Sequence, residues 1–394
     1  MGSKQARRRQ VPPKNEQEGP TKAPNSRADV VDGTKPTPLW RLVKVAYFLL
    51  LAGGVYLYYN TLLWDTEPSP NAIPEEDAYT APVKVMALPG RGMGVVAARD
   101  ISQGDLIIRE KPLFLVPNKV STSSPGAILL AALAPLSPTQ RASFYNLSYS
   151  HFPEGVQKGT ARYNEELALA IFQNNAVSAG ESTGIFPRMA RLNHGCSHAF
   201  NVVYAWRDYE GVLVVHALKP IKEGQELLTT YTDTKRPQHV RRQFLLDHYG
   251  FDCRCAACRA PSDDLVARSD QRLGAMSELY AQFSGWQHGR LNGSEAAAVA
   301  ISIWNLGEEE GYWSERGQLA ADVVHIAAAH SDASAVHEWA RLAQTWFGYE
   351  LGGDSVQAQQ MGQLASAAGP QLHMAWGTRA REAVGGPAPW MLAS

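Results

Sequence analysis

Four cysteines are the residues of this sequence whose spacing most directly implies chemistry. Cys253, Cys255 and Cys258 fall within six consecutive positions, "CRCAAC", and Cys196 lies 57 residues upstream of the first of them. Thiols at spacings of two and three are too close for easy mutual disulfides but suit one shared metal ion. Zinc in structural sites takes four ligands. Adding Cys196 to the trio completes an all-thiolate tetrahedron and leaves no thiol over. Such a closed site has no position for a substrate, so the zinc is expected to be structural, clamping two distant segments together. The alternative is buried or redox-active thiols without metal.

The trio ends the stretch "HYGFDCRCAAC" at His248 to Cys258. Upstream, in order, stand "GRGMGVVAARDISQGDLI" at Gly90 to Ile107, "FPRMARLNHGC" at Phe186 to Cys196 and "EGQELLTTYTD" at Glu223 to Asp233. Together these resemble the SET domain of protein-lysine methyltransferases with its post-SET cysteine cluster, over about Val83 to Cys258. The chain is similar to SET proteins of the SET and MYND group and their fungal relatives, without the cysteines of a MYND finger.

This resemblance implies S-adenosyl-L-methionine as methyl donor and the lysine of a protein, histone or non-histone, as acceptor. By motif position it implies that Arg91, Gly92 and Met93 approach the donor's methionine portion. Asn193 and His194 hold the donor by hydrogen bonds, joined by Asn175 or its neighbour Asn174. Phe251 lies against the adenine, Tyr231 is the catalytic tyrosine and Tyr249 lines the lysine channel. One loop departs from the family pattern. Many relatives read Asn-His-Ser-Cys, one residue, Pro-Asn, whereas this chain reads "NHGCSHAFN", with Gly195 for Ser and two extra residues before Asn201. The competing reading is a catalytically inactive scaffold on the same fold that binds a partner through its C-terminal helices.

These residues need elements to position them. From Val83 to Pro117, short β-rich runs alternate with Gly, Pro and Asp turns, which reads as a small antiparallel sheet. Residues 125 to 175 turn to helical spacing. Strands are expected again at Phe200 to Trp206, Val212 to Ala217 and Glu226 to Tyr231, and a charged helix from about Arg236 to His248 leads into the cysteines. After Pro261, apolar residues recur at helical intervals and predict a stack of helical hairpins, tetratricopeptide-like but without a strict repeat, over 262–394. The expected class is therefore α+β: a mostly β SET fold over 83–258 with a helical insert, followed by an all-α region.

Ahead of the fold, residues 1–39 read as a disordered basic tail and 65–82 as an acidic, Pro-rich linker. Between them, 42–64 is apolar, aromatic or Gly apart from Lys44, Asn60 and Thr61, and is read as a single transmembrane helix. Ten basic residues against four acidic up to Lys44 place the tail in the cytosol or matrix. Over the whole chain, 37 basic and 38 acidic residues give a net charge of -1, which excludes a global field for nucleic acid.

Overall fold

The structure, a computed structural model, describes residues 82–119 and 124–392. The β-rich N-terminal runs form a hairpin of β1 (Val83–Leu88) and β2 (Gly92–Ala97), antiparallel from Val83 opposite Ala97 to Leu88 opposite Gly92. Its turn requires left-handed backbone at Gly90 (φ +71°) and Gly92 (φ +68°), which glycine adopts without Cβ strain. A three-stranded antiparallel sheet follows, ordered β3 (Leu106–Glu110), β9 (Val212–Ala217), β8 (Val202–Arg207). Its central strand, β9, is buried at every residue, as a run rich in valine and covered on both faces should be.

A second three-stranded sheet pairs β4 (Phe114–Pro117) with β6 (Ser182–Ile185) and β6 with β5 (Val177–Ala179). Between β4 and β5 lies the helical insert, α1 (Pro125–Leu133), α2 (Pro138–Tyr145) and α3 (Ala161–Asn175). Each begins on a Ser or Thr whose hydroxyl accepts a first-turn N–H, and Phe144, Leu129 and Ile171 close a small core against Ile185. The strand expected at Glu226 to Tyr231 shortens to β10 (Leu228–Thr229), which pairs in parallel with the equally short β7 (Asn193–His194). Much of the backbone around the site is thus irregular.

The charged helix forms as α4 (Gln238–Tyr249), started by Pro237 and stopped by Gly250 in left-handed conformation. Beyond it are α5 (Asp263–Phe283), α6 (Gly293–Glu310), α7 (Arg316–Ala329), α8 (Ala333–Leu351) and α9 (Val356–Leu364). Their common core holds the fully buried indoles of Trp304, Trp339 and Trp346. The Arg316 guanidinium, 4.5 Å from the Trp346 ring centre and 4.8 Å from that of Trp304, is neutralised by Glu308 at 2.6 Å.

The expected single-pass membrane localisation is corrected here. Among the described residues no helix is long and apolar enough to cross a membrane. The longest, α5, is amphipathic, with Asp263, Asp264, Arg268, Asp270 and Arg272 in its first half. The segment 42–64 that motivated the expectation lies outside the described residues, as do the tail 1–39 and all but the last residue of the linker 65–82.

Candidate functional site

The site starts at the cysteines. Cys196 follows β7, and the trio occupies the loop after Gly250 turns the chain out of α4. The four sulfurs lie within 4.8 Å of one another, with Cys196 Sγ 3.6 Å from Cys258 Sγ, and three of the four residues are buried. A tetrahedron with zinc–sulfur bonds of about 2.3 Å has edges of about 3.8 Å, so the cluster has the dimensions of a zinc site. Its electrostatics ask for a cation. Through their mutual hydrogen bond Cys253 is held far below the ordinary thiol range while Cys196 is pushed far above it. Only a bound cation lets all four be thiolates together.

Four thiolates and one zinc leave two negative charges. Arg241 of α4, 1% exposed, lies beside them: burial works against its guanidinium, Cys196 and Cys258 favour it and prevail, and Thr234 O at 3.3 Å and Asp270 at 3.4 Å hold it. Burying an arginine is costly unless it faces negative charge. We therefore expect Arg241→Met, which keeps the bulk and removes the charge, to weaken zinc retention roughly tenfold in a chelator competition, with the helical region still folded.

His194 joins the cluster to Tyr231. Its Nδ1 accepts the Tyr231 backbone N–H at 3.0 Å, and its Nε2 lies 3.1 Å from Cys196 Sγ. With Nδ1 accepting, the ring proton sits on Nε2 and points at the sulfur. The Tyr231 ring packs against those of His194 at 5.4 Å and Tyr249 at 4.9 Å.

Two cavities meet at Tyr231. One, about 650 Å³, is lined by Arg91, Asn193, His194, Phe251, Arg254 and Arg259 as well as Tyr231. In its wall Arg91 pairs with Glu226 at 2.5 Å, and Asn193 Nδ2 donates to the same carboxylate at 2.9 Å. The hairpin approaches Asn193 so closely that a Cβ on Gly94 would meet its Nδ2 at 2.9 Å. The other cavity, about 400 Å³, is lined by Tyr204, Tyr249, Leu192, Asn174 and Asn175, again with Tyr231. Across it the Tyr231 hydroxyl donates to Leu192 O at 2.6 Å. Burial, then the neighbouring Tyr249, pushes this phenol well above its usual pKa.

Arg91, Asn193, His194 and Phe251 are thus brought to one cavity. Gly92 and Met93 are not among its lining residues, and the Met93 side chain is 41% exposed on β2. Asn175 stands on the other side of Tyr231, its Nδ2 given to Ser148 O and Ile171 O at 2.7 Å each. Sequence reasoning missed Tyr204, Glu226 and Arg241. Tyr204 shares β8 with Trp206, so nothing in the sequence singles it out, and only the fold turns it to the cavity. Glu226 lies inside a quoted motif, but its pairing with Arg91 spans 135 positions.

Three comparisons with known proteins show what the chain is similar to. The family model described as the SET domain matches residues 92–232. The histone-lysine N-methyltransferase set5 of Schizosaccharomyces pombe is 31% identical over 190 residues, 48% of this chain and 54% of that protein. The N-lysine methyltransferase SMYD2-B of Danio rerio is 41% identical over 85 residues, 22% of this chain and 19% of that protein. The chain therefore spans about half the length of the first relative and about a fifth of the second. Among solved structures, the SET domain of LSMT bound to lysine and AdoHcy matches with a TM-score of 0.34 at 14% identity, covering 72% of this chain and 86% of that one. The family match thus places a SET domain at residues 92–232 of this chain.

Proposed function

We propose that the chain is an S-adenosylmethionine-dependent protein-lysine N-methyltransferase, with 83–258 as its catalytic unit and 262–394 as a helical unit packed onto it. The observation that carries this reading is that Tyr231 lines both cavities. A methyl donor and a lysine approaching from opposite sides would meet there and nowhere else. The activities in the names of the two relatives point the same way.

The larger cavity fits the donor's chemistry. Phe251 offers a ring for the adenine, Asn193 an amide, Asn193 and His194 their backbone, and Arg254 and Arg259 offer cations for a carboxylate. When bound, S-adenosylmethionine supplies an electrophilic methyl group on a sulfonium. The chain's own contribution is alignment and exclusion of water. Tyr231, its hydroxyl anchored on Leu192 O, stays protonated at neutral pH because burial disfavours the phenolate. It therefore orients the amine as a hydrogen-bond partner and is not the base. The rings of Tyr204 and Tyr249 wall the acceptor side, where desolvation helps the lysine to shed its proton before attack.

The test is calorimetric titration of the purified protein with S-adenosylmethionine. We expect one donor per chain and about a tenfold to hundredfold loss of affinity in Asn193→Ala, because that change strips a hydrogen-bonding group from the cavity wall. A protein with bound zinc that takes up no donor defeats the proposal and leaves the inactive scaffold as the reading.

A further inference from the structure

The loop that departs from the family pattern has its own use in this structure. Its extra length forms a 3-10 turn, Ser197–Ala199, directly after Cys196. Ser197 is fully buried and held at φ +22°, a conformation that non-glycine residues adopt only when their surroundings impose it. The surroundings come from the helical region. Glu310, the last residue of α6, has a fully buried carboxylate that accepts from Ser269 Oγ at 2.6 Å and from Arg272 Nε and Nη2 at 3.0 and 2.7 Å. His198 Nδ1 lies 3.5 Å from the same carboxylate, and the Ser197 hydroxyl lies close by without reaching hydrogen-bond geometry.

A second tether runs alongside. Lys219 Nζ donates to His198 O at 2.9 Å and to Gly311 O at 2.6 Å, joining the turn to the residue that ends α6. The backbones are packed so tightly that a Cβ on Gly311 would meet His198 Cβ at 3.1 Å. Just beyond, Phe200 meets Tyr312 edge-on at 5.6 Å. On the other side of the turn, buried Asn201 is stapled to β10 by Leu228 N at 2.8 Å and Glu226 O at 3.0 Å. Turn 197–199 is thus held between the helical region and the two-residue ladder that carries Asn193 and His194.

From this arrangement we infer that Glu310 and Lys219 are positioning residues for the donor cavity: the helical region sets the Asn193 to Asn201 loop from behind, through residues that line no part of that cavity. The inference rests on the methyltransferase reading. It makes the helical unit a required part of donor binding, and any partner that moved the end of α6 would act on the donor affinity.

The experiment uses the full chain carrying Glu310→Gln or Lys219→Met, with Asp332→Ala as control. Asp332 caps α8 through Ala335 N at 3.1 Å and holds Val384 N at 2.8 Å, with no hydrogen bond to residues 193–201, so its loss destabilises the same helical region through other contacts. Expected is a roughly tenfold rise in the Kd and KM for S-adenosylmethionine in the two test variants, with the KM for lysine substrate and the zinc content unchanged. Asp332→Ala should lower Tm and leave donor affinity at the wild-type value. Amide hydrogen exchange over residues 193–201 reads the loop without donor, and should quicken in Glu310→Gln and Lys219→Met only. Exchange that is unaltered in both, or a donor Kd raised equally by Asp332→Ala, overturns the inference. A wild type that binds no donor defeats the functional reading, while the exchange result still decides this one.

Discussion

Stripping the zinc, or replacing one ligand as in Cys255→Ser, is expected to abolish donor binding and to unfold the segment after α4 while α5 to α9 stay helical. Phe251, Cys253, Cys255 and Arg259 all line the 650 Å³ cavity, and all belong to the loop that the metal ties to Cys196. Otherwise the loop rests on a small apolar patch, Phe251 and the cysteines against Leu245, Phe244, Tyr231 and Tyr249, and on two ties to α4, Arg242 to Asp252 at 2.6 Å and Gln238 Nε2 to Cys258 O at 3.0 Å. Structural zinc–thiolate sites contribute about 10 kcal/mol or more of binding free energy, above what a partly buried apolar patch and a half-exposed ion pair supply. The helical region has its own tryptophan core and does not need the metal. Denaturation followed by circular dichroism should therefore separate into two steps in the metal-free protein. Atomic absorption should find one zinc per chain beforehand. Retention of wild-type donor affinity after all four cysteines are replaced by serine would contradict the assignment of the metal as the clamp of the cavity.

What could be read from the sequence follows physical lines. The metal cluster is legible because the chain has only four thiols, three of them within six positions, a number and spacing that suit one four-coordinate ion. Strands β1, β3, β4, β8 and β9 were legible because runs of β-branched residues ended at Gly, Pro or Asp. The hairpin of β5 and β6 was not, since Val177–Ala179 and Ser182–Ile185 are three and four residues long and full of Ser, Thr and Gly. Helix α4 has the charge pattern of a solvated helix, which hides the inward turn of Arg241 onto the cysteines; the charge pattern of a helix names a solvated face but not the exception to it. The extra residues after Cys196 read as a disturbance of the motif, because their counterpart, Glu310, lies more than a hundred residues further on. Apolar run length at 42–64 is all that the membrane expectation has behind it, and nothing among the described helices carries such a run.

Tyr231→Phe should lower kcat by about a hundredfold to a thousandfold while the Kd for S-adenosylmethionine stays within twofold of wild type. The phenylalanine ring keeps the wall between the two cavities and the contacts to His194 and Tyr249, so both cavities retain their shape. What goes is one hydroxyl, and with it the hydrogen bond to Leu192 O. That carbonyl then faces the acceptor cavity without a donor, and an incoming amine can turn towards it and away from the line of transfer. In-line displacement is sensitive to such misalignment, which is why the loss appears in kcat and not in donor binding. The pH dependence separates this role from that of a base. Burial raises the Tyr231 pKa, so the phenol remains protonated across the working range and contributes no ionisation to it. The rise of kcat with pH belongs to the lysine, and the Phe variant should show the same profile at a lower level. Disappearance of the pH dependence in Tyr231→Phe would make the tyrosine the proton acceptor, and turnover within threefold of wild type would remove it from the chemistry.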